Sequence, residues 1–181
     1  MSWTRFAATV SAAALAGWAV SASAADQEYG RSGPYLGAGA LYAFETFSGS
    51  AKPADDSWGY HLTGGYRFNE YFALEATGQQ YVSFDVSGGD TNVGLACVSG
   101  KLFPLHGVIQ PYLAAGAGWA WIDDARGKST DGIAVRFAGG VDFYVTRNWG
   151  VFTEVGYFLP TGSGSDYGVV PLSFGVLYRF F

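Results

Sequence analysis

Between Ser57 and Gly78, in "SWGYHLTGGYRFNEYFALEATG", the side chains alternate by twos and separate into two unlike sets. Trp58, Tyr60, Leu62, Gly64, Tyr66 and Phe68 fall on one side, and Gly59, His61, Thr63, Gly65 and Arg67 on the other. After Asn69-Glu70 the alternation restarts, with Phe72, Leu74 and Ala76 opposite Ala73, Glu75 and Thr77. A period of two marks β-strands with two different faces, because successive side chains of an extended chain point to opposite sides. The constraint lies in how bulk is shared out. Aromatic and branched side chains gather on one face, while the other mixes glycine with full charges.

The same alternation runs through the chain, broken only by polar connections. Strands read from Tyr35 to Phe44, over the pair just described, and then over Thr91 to Phe103, Pro111 to Ile122, Ile133 to Tyr144, Trp149 to Leu159 and Val169 to Phe181. That makes eight strands, with no helical stretch and no internal linker. The connections "ETFSGSAKPADDS", "VSFDVSGGD", "DDARGKSTDG" and "PTGSGSDYG" are long; "NE", "PLHGVIQ" and "VTRN" are short, and the two kinds alternate. An up-and-down antiparallel meander produces this when its long connections share one rim. An even strand number then puts both chain ends at the other rim.

The later strands repeat the division of bulk. The fifth sets Leu113, Ala115, Ala117, Trp119 and Trp121 against Tyr112, Ala114, Gly116, Gly118 and Ala120. The sixth sets Ile133, Val135, Phe137, Val141 and Phe143 against Arg136, Gly140 and Asp142, and the seventh Val151, Val155, Tyr157 and Leu159 against Glu154. The eighth sets Leu172, Phe174, Val176, Tyr178 and Phe180 against Ser173, Gly175 and Arg179. Eight strands closed into a soluble barrel would have to crowd the large set into an interior sized for a modest core. With the large residues in lipid and the small or charged ones inside, ~9–11 tilted residues per strand span a bilayer. Hydrocarbon also forbids a free sheet edge, since each unpaired backbone group there costs several kcal/mol. The fold class predicted is all-β: an eight-stranded antiparallel up-and-down transmembrane β-barrel. Trp58, Trp119, Trp121, Trp149, Tyr66, Phe68, Phe72 and Tyr178 suit girdles at its interfaces.

Composition narrows the function classes. Charged residues make up 14% of the chain, against about a quarter in ordinary soluble domains. A net charge of −5 argues against a nucleic-acid partner, which needs a basic surface. No Gly-rich phosphate loop, Walker-type Lys-Ser/Thr or paired-Cys metal motif occurs. Residues 1–24 read as a secretory signal peptide, with Arg5 before an apolar run from Phe6 to Val20 and small residues at Ala22 and Ala24. That run is shorter than the ~20 residues a membrane helix needs. Cutting there leaves residues 25–181 as the barrel and removes one positive charge and no acid, so −5 becomes −6. Cys97 is the one cysteine, which excludes an internal disulfide, and in "VGLACVSGKL" it reads as a small residue inside a strand.

Parity places Arg67, Glu75, Lys101, Arg136, Asp142, Glu154 and Arg179 on the inner face, four basic and three acidic. Isolated ions in so narrow a space are costly, and pairing offsets the cost. A salt-bridge and hydrogen-bond network filling the lumen is the expectation; an ion pathway through it is the alternative. The long connections carry Asp55, Asp56, Asp85, Asp90, Asp123, Asp124, Asp131 and Asp166, read as solvated loop residues without calcium-loop spacing. His61 shares a face with Thr63, His106 sits in a short turn, and neither has the Ser and carboxylate company of a hydrolase. No catalytic residue, cofactor or metal is expected.

Through "GPYLGAGALYAF", "GGYRFNEYFALEATG", "QPYLAAGAGWAW", "VDFYVTRNWGVFTEVGY" and "FGVLYRFF", the chain resembles the small eight-stranded outer-membrane barrels of Gram-negative bacteria. These are the OmpA/OmpX-type and opacity-like porin-family proteins. The resemblance covers essentially all of the chain after the signal peptide. It implies an outer-membrane location and a structural or interactive role, supporting the envelope and presenting extracellular loops for surface contact or adhesion. A narrow porin-like channel is the alternative it leaves, and a lipid A-modifying acyl hydrolase or acyltransferase a third. The partners it implies are outer-membrane lipid and lipopolysaccharide, the barrel-assembly machinery, periplasmic chaperones, and an extracellular ligand at the loops. It implies further that Tyr178, Phe180 and Phe181 form the aromatic terminus read in assembly; the lipid-facing parity ends on Phe180, with Phe181 on the opposite one. The periplasmic peptidoglycan-binding domain of longer relatives is not expected.

Overall fold

A computed structural model describes residues 29–47, 57–86, 89–123, 129–160 and 167–180. Wherever the period-two pattern runs, the backbone is extended. The strands are β1 (Gly33–Phe47), β2 (Ser57–Arg67), β3 (Phe72–Val86), β4 (Gly89–Leu102), β5 (Ile109–Asp123), β6 (Ser129–Tyr144), β7 (Trp149–Pro160) and β8 (Tyr167–Arg179). Each pairs antiparallel with its chain neighbours, and β1 pairs with β8 to close a barrel in strict sequence order. Tyr35, for example, lies between Gly65 on one side and Arg179 on the other. No edge is left, which is what a sheet in hydrocarbon requires.

Bulk faces outward, as parity predicts. Leu36, Leu62, Leu74, Leu113, Phe137, Val155 and Phe174 are exposed on the outer wall, whereas all seven charged residues assigned to the inner face are at most 4% exposed. An apolar surface extending around a whole barrel belongs in lipid rather than in water.

Two expectations need correcting. At the rim of the long connections the strands run further than the sequence boundaries: β1 reaches Phe47, β6 starts at Ser129 and β8 at Tyr167. Only residues 87–88 separate β3 from β4, so "VSFDVSGGD" is mostly hairpin, with a register shift between Tyr81 and Phe84. Asp85, Asp90, Asp123 and Asp131 therefore belong to strands and not to loops, Asp85 lying opposite Asp90. Polar side chains do not by themselves end backbone pairing, so a polar stretch does not mark where a strand stops. Residues 1–24, Asp55, Asp56, Asp124, Asp166 and Phe181 lie outside the described residues.

The second correction concerns the interior, which is not filled by small and charged residues alone. Tyr35, Tyr81, Phe103, Tyr112, Tyr144, Phe152 and Phe158 are buried there too. Glycine makes the room. Across the register Tyr35 meets Gly65, Tyr81 meets Gly59, Tyr112 meets Gly140, Tyr144 meets Gly150 and Phe152 meets Gly175. A Cβ on Gly65 would stand 2.6 Å from the Tyr35 ring, and one on Gly140 would stand 2.5 Å from the Tyr112 ring. The Tyr35, Tyr112 and Tyr144 rings pack against their glycines, which have no side chain to pack for themselves.

Candidate functional site: the charged lumen

At the short-turn mouth no carboxylate among the described residues pairs with the cations. Asn69 Oδ1 accepts from the backbone N–H groups of Tyr71 and Phe72, both at 2.9 Å, and so fixes the β2–β3 turn. Arg67, the last residue of β2, donates to the carbonyls of Asn69 and Glu70 in that turn and to Gln110 Oε1 on β5. Its guanidinium lies 4.1 Å from the centre of the Phe103 ring. Gln110 in turn donates to the carbonyls of Tyr29, His106 and Gly107. Arg179, the last residue of β8, also donates to the Tyr29 carbonyl and rests 4.4 Å from the centre of the Tyr144 ring. The chain just ahead of β1 thus reaches residues of both β5 and β8 through one carbonyl.

Higher up, ion pairs cross between strands. Lys101 on β4 donates to Glu75 Oε2 on β3 at 3.0 Å, and the same oxygen accepts from the Tyr35 hydroxyl at 2.9 Å. Thr77 Oγ1 donates to the other oxygen of Glu75. The Lys101 ammonium sits 3.7 Å above the Tyr112 ring, with the Phe103 and Tyr35 rings at 5.7 and 5.9 Å. Arg136 on β6 pairs with Glu154 on β7 and donates to Ser99 Oγ on β4 at 3.1 Å; the Tyr112 hydroxyl donates to Glu154 Oε2. Cation–π faces and charge-assisted hydrogen bonds stabilise ions taken out of water. Breaking one such buried pair by removing a single partner costs about 3–5 kcal/mol.

The structure therefore brings Glu75 to Lys101 and Glu154 to Arg136, and leaves Arg67 and Arg179 to carbonyls, an amide and rings. Asp142 is buried with no partner for its Oδ1. Sequence reasoning missed Tyr29, Tyr35, Ser99, Gln110 and Tyr112 as members of the network. Parity put Tyr112 on the inner face, but its contacts come from strands that only the closed barrel brings near.

The upper lumen is more apolar. His61 Nδ1 lies 2.9 Å from Gln79 Nε2, the Tyr81 hydroxyl donates to Gln79 Oε1, and the His61 ring packs on Phe152. Leu41 and Ala43 pack with Tyr81, and Leu95 with Cys97, Ala134 and Phe158. His106 meets the edge of the Tyr71 ring in the β4–β5 turn. Among the described residues no three His, Cys, Asp or Glu side chains gather as metal ligands would. Tyr178 and Phe180 stand ring to ring at 4.8 Å on the outer wall, with Trp149 4.8 Å from Tyr178.

Comparisons with known proteins give the same architecture. The sequence pattern described as "Outer membrane protein beta-barrel domain" matches residues 10–180. No curated protein matches the chain. Among solved structures it is similar to neisserial surface protein A (NspA), with 20% identity, a TM-score of 0.68, and cover of 81% of this chain and 97% of that one. It is also similar to Ail, the attachment invasion locus protein of Yersinia pestis, with 19% identity, a TM-score of 0.60, and cover of 83% and 99%. OprG of Pseudomonas aeruginosa gives 15% identity, a TM-score of 0.60, and cover of 84% and 98%.

Proposed function

This chain belongs to the outer membrane protein β-barrel family, and on that premise we propose that it is a structural and interaction protein of the envelope. It sits in the bacterial outer membrane. Its barrel supports the envelope, and its projecting hairpins present a surface for contact or adhesion. The observation that carries this reading is the packed lumen: two buried ion pairs, ring-held cations and an apolar upper half occupy the space a channel or an active site would need. The hairpins then form the working surface. The similarity to Ail supports the adhesive part, since that protein is an attachment invasion locus protein solved with the heparin analogue sucrose octasulfate.

Export through residues 1–24, periplasmic chaperones, and the barrel-assembly machinery reading Tyr178, Phe180 and Phe181 complete the proposed route to the membrane. Lipopolysaccharide is the proposed neighbour of the outer wall, and an extracellular ligand the proposed partner of the hairpins.

The test is binding of host cells or immobilised matrix proteins by vesicles carrying the barrel. Trimming the connections around Asp55 and Asp124 should abolish binding while the barrel still folds. Two results would overturn the reading: steady conductance in planar bilayers, or release of fatty acid from lipopolysaccharide that disappears in His61→Ala.

A further inference from the structure

Four side chains at the ends of strands line the short-turn mouth: Arg67 closes β2, Tyr144 closes β6, Arg179 closes β8, and Gln110 is the second residue of β5. A strand end at an open mouth would leave them in water, yet all four are at most 3% exposed. The chain ahead of β1 lies against three of them. The Tyr29 carbonyl accepts from Gln110 Nε2 at 3.1 Å and from Arg179, and the Tyr29 ring stands 5.9 Å from that of Tyr144, on the cluster that Tyr144 forms with Phe152 and Leu177. Gly30 lies against Glu70 of the β2–β3 turn and His106 of the β4–β5 turn. β5 is four strands from β1 whichever way the barrel is followed, so a chain leaving β1 meets Gln110 only by crossing the mouth. Tyr29 precedes Gly33 by four residues, a reach of about 13–14 Å. Gly33 opens β1 with φ of 156°, a conformation open to glycine and rarely to other residues, and there the chain turns off the wall.

We infer that Tyr29–Ser32 is a strap that crosses and closes the short-turn mouth, seated in a socket formed by Gln110, Tyr144 and Arg179 and hinged at Gly33. Lifting it costs the hydrogen bonds to the Tyr29 carbonyl and the ring contact with Tyr144, and leaves the strand ladders intact. This end of the lumen can therefore open without unfolding the barrel. The buried ion pairs above it stay in place, so the strap is a local device, separate from the packing that carries the functional reading.

Gly30→Cys combined with His106→Cys, in a Cys97→Ser background, tests this on the full chain. A Cβ on Gly30 would stand 3.6 Å from that of His106, within the about 3.5–4.5 Å that a disulfide spans. The His106 carbonyl that Gln110 uses survives the substitution. A glutathione redox buffer should crosslink most of the folded barrels; folded barrels that stay reduced overturn the strap. The socket has its own readout. Gly30→Cys alone should react with a water-soluble thiol reagent through the lifted state, and Tyr29→Ala, which removes the ring contact, should speed that labelling about tenfold. An unchanged rate overturns the socket. Should the His106 variant fail to fold, the labelling comparison still decides.

Discussion

A buried charge in this lumen is tolerated only through what touches it, and this makes the residue scale the most sensitive one. Glu154→Leu strands the Arg136 guanidinium beside Ser99 and should lower stability by about 3–5 kcal/mol, whereas Arg136→Met combined with Glu154→Leu should recover most of that loss. Urea unfolding followed on unheated gels measures both, and equal losses in the single and double variants would show that the pair is not coupled. Parity alone told that these residues point inward. It did not tell that Arg136 would choose Glu154 over Glu75, or that Arg67 and Arg179 would find carbonyls. Those choices depend on distances across the lumen.

Among the strands, the interlock of inner rings with glycines carries its own prediction. Gly140→Ala drives a Cβ against Tyr112 and the Thr153 carbonyl, and overpacking of this kind should cost about 1–3 kcal/mol. Gly78→Ala, where an added Cβ meets nothing within 4 Å, should be close to neutral by the same unfolding measurement. A second prediction concerns the hairpin tips. Backbone amides of β3 and β4 beyond Tyr81 should exchange slowly with deuterium, because Phe84 pairs with Thr91 and Asp85 with Asp90; exchange at loop rates would restore the shorter strands read from the sequence. Strand number and order were legible because alternation is a property of each extended segment. Strand length was not, since polar side chains do not stop backbone pairing.

For the molecule as a whole, the decisive property is that its apolar side is outside. Leu62→Arg, halfway along β2, should cost about 2–4 kcal/mol in a bilayer, while Phe72→Arg at the start of β3 should cost about 0–1 kcal/mol. Unfolding from vesicles compares the two; equal costs would mean that the wall does not cross the hydrocarbon with Leu62 near its centre. A cysteine at position 62 in a Cys97→Ser background should react with lipid-soluble and not with water-soluble reagents. Migration before and after boiling should differ, as a closed barrel resists detergent until heated.

By itself, the sequence determined the fold class, the eight-strand meander, the outward bulk and the inward set of seven charges, because period and parity are written locally in each extended segment. The closed structure decided which charge meets which partner, which glycine receives which ring, and how far the hairpins project. Those features depend on the register of strands far apart in the chain, as with Tyr35 of β1 and Glu75 of β3 or Ser99 of β4 and Arg136 of β6. Register is a property of the barrel that no single segment carries.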